Sequence, residues 1–248
     1  MSVLLLVSLL ALSAGVPVAQ TAPPGTILPV RLNSGISSSH SRPGQKITAR
    51  IMQRVSLPGG MEIRAGSKLV GHVIRVRPAS RGQGAEIAFR FDTLRASGSS
   101  VPLAVSLRAL ASFMEIEDAR IPPMGPDRGT SEEDYTTVQV GGDVVYRGGG
   151  PVMHGGEVVG RPVPGGVLVR LRANPERGCR GSLGDDARLE SLWLFSSAAC
   201  GTYGLPRVII RHAGRTAPAG EIVLGASEGS VNVRGGAGML LRVLPAGE

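Results

Sequence analysis

Hydrophobic and polar residues alternate over many short stretches of this chain, which is the pattern of β-strands that bury one face. Turns rich in glycine, proline and serine separate these stretches. The residues predicted to face a core in the first half are Leu28, Val30 and Leu32; Ile47, Ala49 and Ile51; Ile87, Phe89 and Phe91; and Val101, Leu103, Val105 and Leu107. Pro29 predicts that the first strand lies at a sheet edge, because proline lacks the N–H that a central ladder uses.

The alternation fades from about residue 115 to residue 166, where polar turns and glycine-dense sequence take over. We expect a linker or long loop there, in which two Val-Val pairs form at most a weak hairpin. Alternation returns at residues 167–171 and in four glycine-separated stretches after residue 206. The predicted fold is therefore all-β, a barrel or sandwich of short strands, with two β lobes joined by a loose Gly/Pro-rich segment.

The predicted organisation has four parts. They are a signal peptide over residues 1–20, an N-terminal β-barrel-like domain over 21–116, a Gly/Pro-rich linker or long loop over 117–166, and a C-terminal β lobe with a disulfide over 167–248.

Composition supports short elements and limits the classes of partner. The 36 glycines and 18 prolines favour turns and disfavour long helices. The net charge is +8, but the basic residues are scattered along the sequence and no aromatic residues interleave with them. Nucleic-acid binding needs a concentrated basic patch or a stacking surface. We interpret the charge as a solvated arginine-rich surface, which leaves open a weak attraction to anionic envelope polymers.

The longest apolar run covers residues 3–19. Its centre, residues 4–12, has the length of a secretory h-region, and small residues follow at 13–15. A membrane-spanning helix needs about 20 apolar residues. We expect a cleaved signal peptide, with an uncleaved anchor as the alternative. The predicted location is the periplasm or the cell exterior, without a membrane span after cleavage.

The two cysteines, Cys179 and Cys200, are expected to form a disulfide in an oxidising compartment. The loop that they close spans 21 residues (200 − 179). In the chain-entropy model such a loop stabilises the fold by roughly 3 kcal/mol. Their spacing fits neither a C-x-x-C redox motif nor a zinc site. A free, nucleophilic Cys200 is the alternative, and it requires an exposed electropositive site.

A G-x-S-x-G motif covers residues 225–229 and resembles the nucleophile turn of α/β-hydrolases. That motif works at a strand-to-helix turn, with a histidine later in the chain. Here it lies between two strand candidates, and no histidine follows His212. We interpret it as a hairpin turn.

Ser196 and Ser197 lie three and four residues after the only tryptophan, Trp193. With His212 and the Asp185-Asp186 pair they supply the residue types of a catalytic triad, although nothing in their spacing supports one. We instead interpret residues 193–200 as a buried strand, in which Trp193 packs beside the disulfide.

The remaining polar motifs predict no metal or cofactor. The four histidines (His40, His72, His154 and His212) are far apart in sequence. The acidic groups at 132–134 and 185–186 lack the alternating oxygen ligands of a calcium site. The glycine-rich residues 235–238 lead into a strand, whereas a phosphate cradle needs a helix N-terminus. We predict no catalytic, cofactor or metal site, and the binding residues are unassigned.

Residues 24–107 carry turn glycines and alternating apolar residues in an order that resembles the periplasmic β-barrel domain of TrbI-type conjugation proteins, members of the type IV secretion core complex. The matching residues are Gly25, Thr26, Pro29, Leu32, Pro43, Gly44, Ala49, Val55, Ala65, Gly66, Ser67, Leu69 and Gly71. The resemblance implies a β-barrel and envelope or secretion-complex partners, and it carries no catalytic residues. The C-terminal half resembles uncharacterised secreted bacterial proteins.

The predicted function is that of a non-enzymatic exported envelope protein, a scaffold or binding module related to secretion-complex barrels. Fold alone does not decide this, because one fold hosts many functions. One alternative is a glycan- or peptidoglycan-binding module, which the low aromatic content of 3% disfavours. Another is a secreted serine hydrolase, which requires a serine, a histidine and a carboxylate in one cleft.

Overall fold

The computed structural model describes residues 22–120, 136–146, 150–171 and 189–245. The strands before the helix are β1 (Ile27–Leu32), β2 (Ile36–Ser37), β3 (Lys46–Ile51), β4 (Val55–Ser56), β5 (Glu62–Ile63), β6 (Lys68–Arg77), β7 (Ala85–Ala96), β8 (Ser99–Pro102) and β9 (Val105–Ala111). Helix α1 (Phe113–Arg120) is followed by β10 (Thr136–Val138), β11 (Val144–Tyr146), β12 (Val152–His154), β13 (Glu157–Val163), β14 (Gly166–Arg170) and β15 (Leu189–Ser191). The last strands are β16 (Gly201–Tyr203), β17 (Val208–His212), β18 (Ile222–Ala226), β19 (Asn232–Val233) and β20 (Gly238–Val243).

Ten strands form one sheet that curves into a nearly closed barrel, which confirms the predicted all-β class. Its order is β16-β9-β20-β1-β3-β6-β7-β18-β17, and β8 pairs with β7. The two end strands are joined where the Thr202 hydroxyl donates to the Val208 carbonyl oxygen at 3.1 Å. The Leu107 N–H also donates to the Ala213 carbonyl oxygen at 2.8 Å. These bonds link β9 and β16 to the end of the sheet that carries β17.

The barrel interior is a single apolar core, and it contains all thirteen residues that the alternation predicts to face inward. Phe89 and Phe91 lie on the same face of β7 and meet edge to face, with their ring centroids 6.0 Å apart. Period-two alternation succeeds here because successive side chains of a strand point to opposite faces.

A second, six-stranded antiparallel sheet, the meander, consists of β10 to β15 in sequence order. It packs against the outside of the barrel, where β1, β9 and β20 present Ile27, Ala109 and Leu240. The residues that complete this second core are Ala111, Ile116, Ala119, Val140, Val145, Val152, Val167, Val169, Leu171, Leu192, Trp193, Phe195 and Ala199. The meander is therefore an insertion between β9 and β16 of the barrel.

This topology differs from the predicted division of the chain. The range 117–166, predicted as a linker, contains β10, β11, β12 and β13. Three of these strands have only three residues, too few for an alternation to be recognised. The range 167–248, predicted as a separate lobe, supplies β14 and β15 to the meander and β16, β17, β18 and β20 to the barrel. The predicted signal peptide, residues 1–20, lies outside the described residues.

The edge position predicted from Pro29 is wrong, because β1 lies between β20 and β3. The Pro29 carbonyl accepts the N–H of Met52 at 2.9 Å, one residue beyond the end of β3. The N–H and C=O of an antiparallel strand residue point to the same neighbour. An N–H at position 29 would therefore point toward the end of β3, where the pairing between β1 and β3 stops.

Helix α1 connects the barrel to the meander and was not predicted, since eight residues give little helical periodicity. The hydroxyl of Ser112 accepts the Glu115 N–H at 3.2 Å and caps the first turn. Ile116 and Ala119 are buried in the second core. Among the described residues, we find no helix with the length and apolar character to cross a bilayer.

Candidate functional site

The junction between the barrel and the meander is built around the buried side chain of Gln53, which is 1% exposed. Gln53 follows β3, and its Oε1 accepts the N–H of Val167 at 3.0 Å and that of Trp193 at 2.6 Å. Its Nε2 donates to the Val167 carbonyl oxygen at 2.7 Å. A Cβ at Gly166 would lie 2.1 Å from Gln53 Oε1, so only glycine leaves room for this amide. One side chain that follows a barrel strand thus hydrogen-bonds to β14 of the meander and to the turn after β15.

Trp193 is held in an unusual backbone conformation beside this junction. Its φ is +55°, in the left-handed region that large side chains rarely adopt. Residues around it form turns with one isolated bridge between Val140 and Phe195, so the strand predicted over residues 193–200 is wrong, although its burial is correct. Two amides fix the peptide groups of Trp193, because Gln53 accepts its N–H and Gln139 Nε2 donates to its carbonyl oxygen at 3.2 Å.

A cleft of about 430 Å³, here called the junction cleft, opens next to Trp193. The residues that line it are Ala119, Arg120, Thr137, Gln139, Val145, Pro162, Val163, Gly165, Gly166, Val167, Trp193 and Leu194. Gln139 is 4% exposed, and its Oε1 has no hydrogen-bond partner in the described part of the chain. An unpaired buried carbonyl oxygen costs free energy. A ligand that donates an N–H or O–H to this oxygen would remove that cost.

The chemistry of the junction cleft suits a ligand that combines apolar surface with a hydrogen-bond donor. Val145, Val163 and Val167 give it apolar walls. Its polar side chains are Arg120, Thr137 and Gln139, and the buried amide oxygen of Gln139 is unpaired within the described residues. Trp193 is only 5% exposed and cannot offer its ring face as a platform for a sugar. Within the described residues, the lining of the cleft holds no nucleophilic side chain next to a base.

Ser196 and Ser197, the predicted triad serines, lie instead in a buried polar network. Ser196 is 0% exposed, and its hydroxyl accepts the Ala198 N–H at 3.1 Å. The Ser197 N–H donates to Asp143 Oδ2 at 2.6 Å. Asp143 is fully buried, and its Oδ1 lies 2.5 Å from Nδ1 of His154. Among the described residues, no hydrogen bond joins either serine to a histidine.

Arg108 holds the same segment from the barrel side. The register between β9 and β20 shifts at this point, so Arg108 is an extra residue that a β-bulge re-aims. Its Nε donates to the Ala199 carbonyl oxygen at 3.0 Å and its Nη2 to that of Ser197 at 2.5 Å. Burial lowers the pKa of Arg108 to about 10, against the opposing charge of Glu190. The side chain stays cationic at neutral pH.

Arg242 and Glu190 lie near this buried cation. Burial also lowers the pKa of Arg242, and the like charge of Arg215 lowers it further, whereas Glu190 acts in the opposite direction. Glu190 Oε2 accepts the N–H of Ile27 at 3.3 Å. These charges tie β15 of the meander to β1 and β20 of the barrel.

His212, the predicted triad base, is engaged within its own loop. Its Nδ1 lies 2.7 Å from the Glu221 carbonyl oxygen and its Nε2 lies 3.1 Å from the Thr216 hydroxyl. The Asp185-Asp186 pair lies outside the described residues. The G-x-S-x-G residues 225–229 begin at the end of β18 and lead to β19, which agrees with a turn between strands. The predicted hairpin is wrong, because β18 pairs with β7 and β17, whereas β19 pairs with β2.

The histidines lie in four separate places. His40 contacts Ser37 and Ser39, His72 pairs with Asp92 at 2.9 Å, and His154 and His212 have the partners given above. Within the described residues, no three side chains of His, Cys, Asp or Glu come together as a metal site.

Cys200 ends the segment that Arg108 and Asp143 hold, and its N–H donates to the Tyr203 hydroxyl at 2.9 Å. Cys179 lies outside the described residues, so the Cys179–Cys200 disulfide stays a prediction.

Sequence reasoning missed Gln53, Arg108, Gln139, Asp143 and His154. Arg108 left a signal in the sequence. The inward residues of this strand are Val105, Leu107 and then Leu110, so the period of two breaks at Arg108. Gln53, Gln139 and Asp143 gave none, since their burial depends on contacts between segments far apart in sequence. His154 was considered only as a metal ligand.

Comparison of the chain with protein-family models, with curated proteins and with solved structures finds no match.

Proposed function

We propose that this protein is a non-enzymatic, exported protein of the bacterial envelope, which acts as a scaffold or binding module, and that the junction cleft is its binding site. The unpaired Oε1 of Gln139, buried in the lining of that cleft, carries the proposal. A buried acceptor without a donor is rare in folded proteins. Its free-energy cost is explained if a ligand supplies the missing N–H or O–H.

Support for a relation to TrbI-type barrels comes from what the matched glycines do. Gly25, Gly44 and Gly66 have φ values of +88°, +80° and +89°, in the region that favours glycine. A Cβ at Gly71 would lie 1.9 Å from the Arg90 carbonyl oxygen, where β6 approaches β7. The pattern thus reflects backbone requirements of a barrel. By this reasoning the partners are envelope or secretion-complex proteins, and the location is the periplasm or the exterior.

The non-enzymatic assignment is supported by the state of the candidate nucleophiles. Ser196 is fully buried in a local hydrogen bond, and Ser197 is 8% exposed with both backbone groups bound. His212 is bound within its own loop. A serine hydrolase requires these groups to meet at an accessible point.

Two measurements test this proposal. Cell fractionation, with mass determination of the mature N-terminus, tests export, and recovery of the uncleaved chain in the cytoplasm would overturn it. Binding is tested by capture from a solubilised envelope extract with the wild type and the variant Val163→Trp, which fills the junction cleft. Val158→Trp is the matched control, because Val158 lies on the same strand and is 57% exposed.

The expected result is a component that the wild type and Val158→Trp retain and that Val163→Trp loses. Retention of the same components by all three proteins would refute the junction cleft as the site. Retention of none would refute the binding module itself.

A further inference from the structure

Four cations occupy directly facing positions on four neighbouring strands of the barrel. Arg31 of β1 faces Arg50 of β3. Arg50 in turn faces Lys68 of β6, and Lys68 faces Arg95 of β7. Facing residues of antiparallel strands project from the same side of the sheet. That side is the barrel exterior, because the alternate residues fill the interior. We call these four residues the basic row.

The basic row spans roughly 14 Å, which is three strand spacings of about 4.8 Å. Arg31 pairs with Glu117 at 3.0 Å. Arg50, Lys68 and Arg95 are exposed and form no ion pair with any described residue. Like charges that face each other across strands destabilise a sheet. The row therefore costs stability in the free protein, and a bound anion would remove that cost.

A cleft of about 380 Å³ lies at the β1 end of the basic row, lined by Arg31, Arg50 and the turn at residues 235–236. The exposed Arg234 adds a further cation beside it. The guanidinium carbons of Arg31 and Arg234 lie 6.0 and 5.9 Å from the ring centroid of Phe113, which positions both groups. Guanidinium groups bind carboxylates with two parallel hydrogen bonds. This cleft suits one terminal anionic group.

We propose that the basic row binds a linear acidic polysaccharide, with successive carboxylates along the row and one end in the cleft at β1. The row is one cation wide, which fits a narrow chain, whereas a bilayer presents its charge in two dimensions. Single-stranded nucleic acid relies on aromatic platforms for its bases. The ring of Phe113, beside the row, is already flanked by two guanidinium groups.

This site goes beyond the proposed function, since it lies on other strands than the junction cleft. Only the identity of the polymer that the basic row meets in the cell depends on the proposed export. Binding in solution does not, so a failure of the export test leaves this inference standing.

The test is calorimetric titration of the purified protein with a mannuronate hexasaccharide, which carries one carboxylate per sugar, at low ionic strength. The variant Arg50→Glu/Lys68→Glu replaces two attractions by repulsions, and we expect roughly tenfold weaker binding. Added salt should weaken binding to the wild type, because the contacts are exposed. Arg50→Gln/Lys68→Gln is the second variant if charge reversal prevents folding, and its binding should weaken in the same direction.

The matched control is Arg81→Glu/Arg207→Glu, which changes the net charge equally at two exposed arginines away from the row. This control should bind within about twofold of the wild type, since distant exposed charges are largely screened. Equal weakening by both variants would show that binding depends on net charge alone, and it would refute the basic row as the binding site. Absence of binding to the hexasaccharide, or tighter binding to a thymidine hexanucleotide or to phosphatidylglycerol vesicles, would also overturn the proposal.

Discussion

Arg108 of the barrel donates a 2.5 Å hydrogen bond to the carbonyl oxygen of Ser197. On the other side, the N–H of Ser197 donates to Asp143, which follows β10 in the meander. Two buried charges of opposite sign therefore hold the two backbone groups of one residue. This arrangement explains how residues 193–200 are ordered without forming a strand, and it joins the meander to the barrel.

Replacing Arg108 by methionine should lower the free energy of unfolding by about 3 kcal/mol, because two buried carbonyl oxygens lose a charged donor. Chemical denaturation measures the change. Arg207→Met, at an exposed position, is the control and should change stability by less than about 0.5 kcal/mol. A loss at Arg108 no larger than that of the control would contradict the structural role assigned to the cation.

The effect of Arg108→Met should be constant between pH 6 and pH 8. Burial lowers the pKa of Arg108 to about 10, so the side chain is charged in both folded and unfolded chains below about pH 9. Above about pH 10 the unfolded chain keeps the proton longer than the folded one, and the contribution of this group to stability rises with pH. Denaturation of wild type and variant in parallel buffers checks this, and a difference that varied with pH across the neutral range would refute it.

Replacing Gln53 by methionine should destabilise the fold by about 3 kcal/mol, because the buried N–H groups of Val167 and Trp193 lose their acceptor. The Val167 carbonyl oxygen loses one of two donors and keeps the Leu192 N–H. Amide hydrogen exchange gives a local readout, and the N–H groups of Val167 and Trp193 should exchange faster. Gln83→Met, at an exposed position, is the matched control. Unchanged exchange at those two amides would show that Gln53 does not hold the junction.

Two glycine-to-alanine variants distinguish two ways in which an added Cβ destabilises the fold, namely steric overlap and backbone strain. Gly71→Ala places a Cβ 1.9 Å from the Arg90 carbonyl oxygen and should cost about 3 kcal/mol through overpacking. Gly98→Ala, at φ +81° with no heavy atom within 4 Å, should cost about 1 kcal/mol. Thermal unfolding of the two variants provides the comparison. An equal or smaller cost at Gly71 would mean that β6 and β7 lie further apart than described.

The predicted Cys179–Cys200 disulfide is tested by intact mass with and without reductant, which should differ by two hydrogens. Replacing both cysteines by serine should lower stability by roughly 3 kcal/mol in the chain-entropy model. Free thiols at both positions of the purified protein would refute the pairing.

Several local features of the barrel were accessible from sequence. The inward residues of β3 and β7 follow from alternation alone, since Ile47, Ala49 and Ile51 are all fully buried, as are Phe89 and Phe91. In the meander, only β14 was accessible in this way, through the alternation at residues 167–171, whereas β10 to β13 were not. Gly141 and Gly142 lie in the turn before β11, and Gly155 and Gly156 separate β12 from β13. Glycine-rich turns therefore dominate this part of the sequence, and the short strands between them give no clear alternation.

The candidate sites were even less accessible. Gln139 lies between Val138 and Val140 in ordinary alternation, and nothing in that pattern marks its side chain as buried without a partner. The cations of the basic row are scattered along the sequence, and this scatter led to the prediction of a diffuse surface charge. The barrel aligns Arg31, Arg50 and Lys68 on neighbouring strands.

By itself, the sequence determined the all-β class and the inward residues of the barrel strands, because side-chain direction alternates along any strand. Only the tertiary structure decided that β20 pairs with β1, that the meander packs outside the barrel, and that four distant cations form a row. Those relationships depend on strand pairing and register between remote segments, which local alternation does not encode.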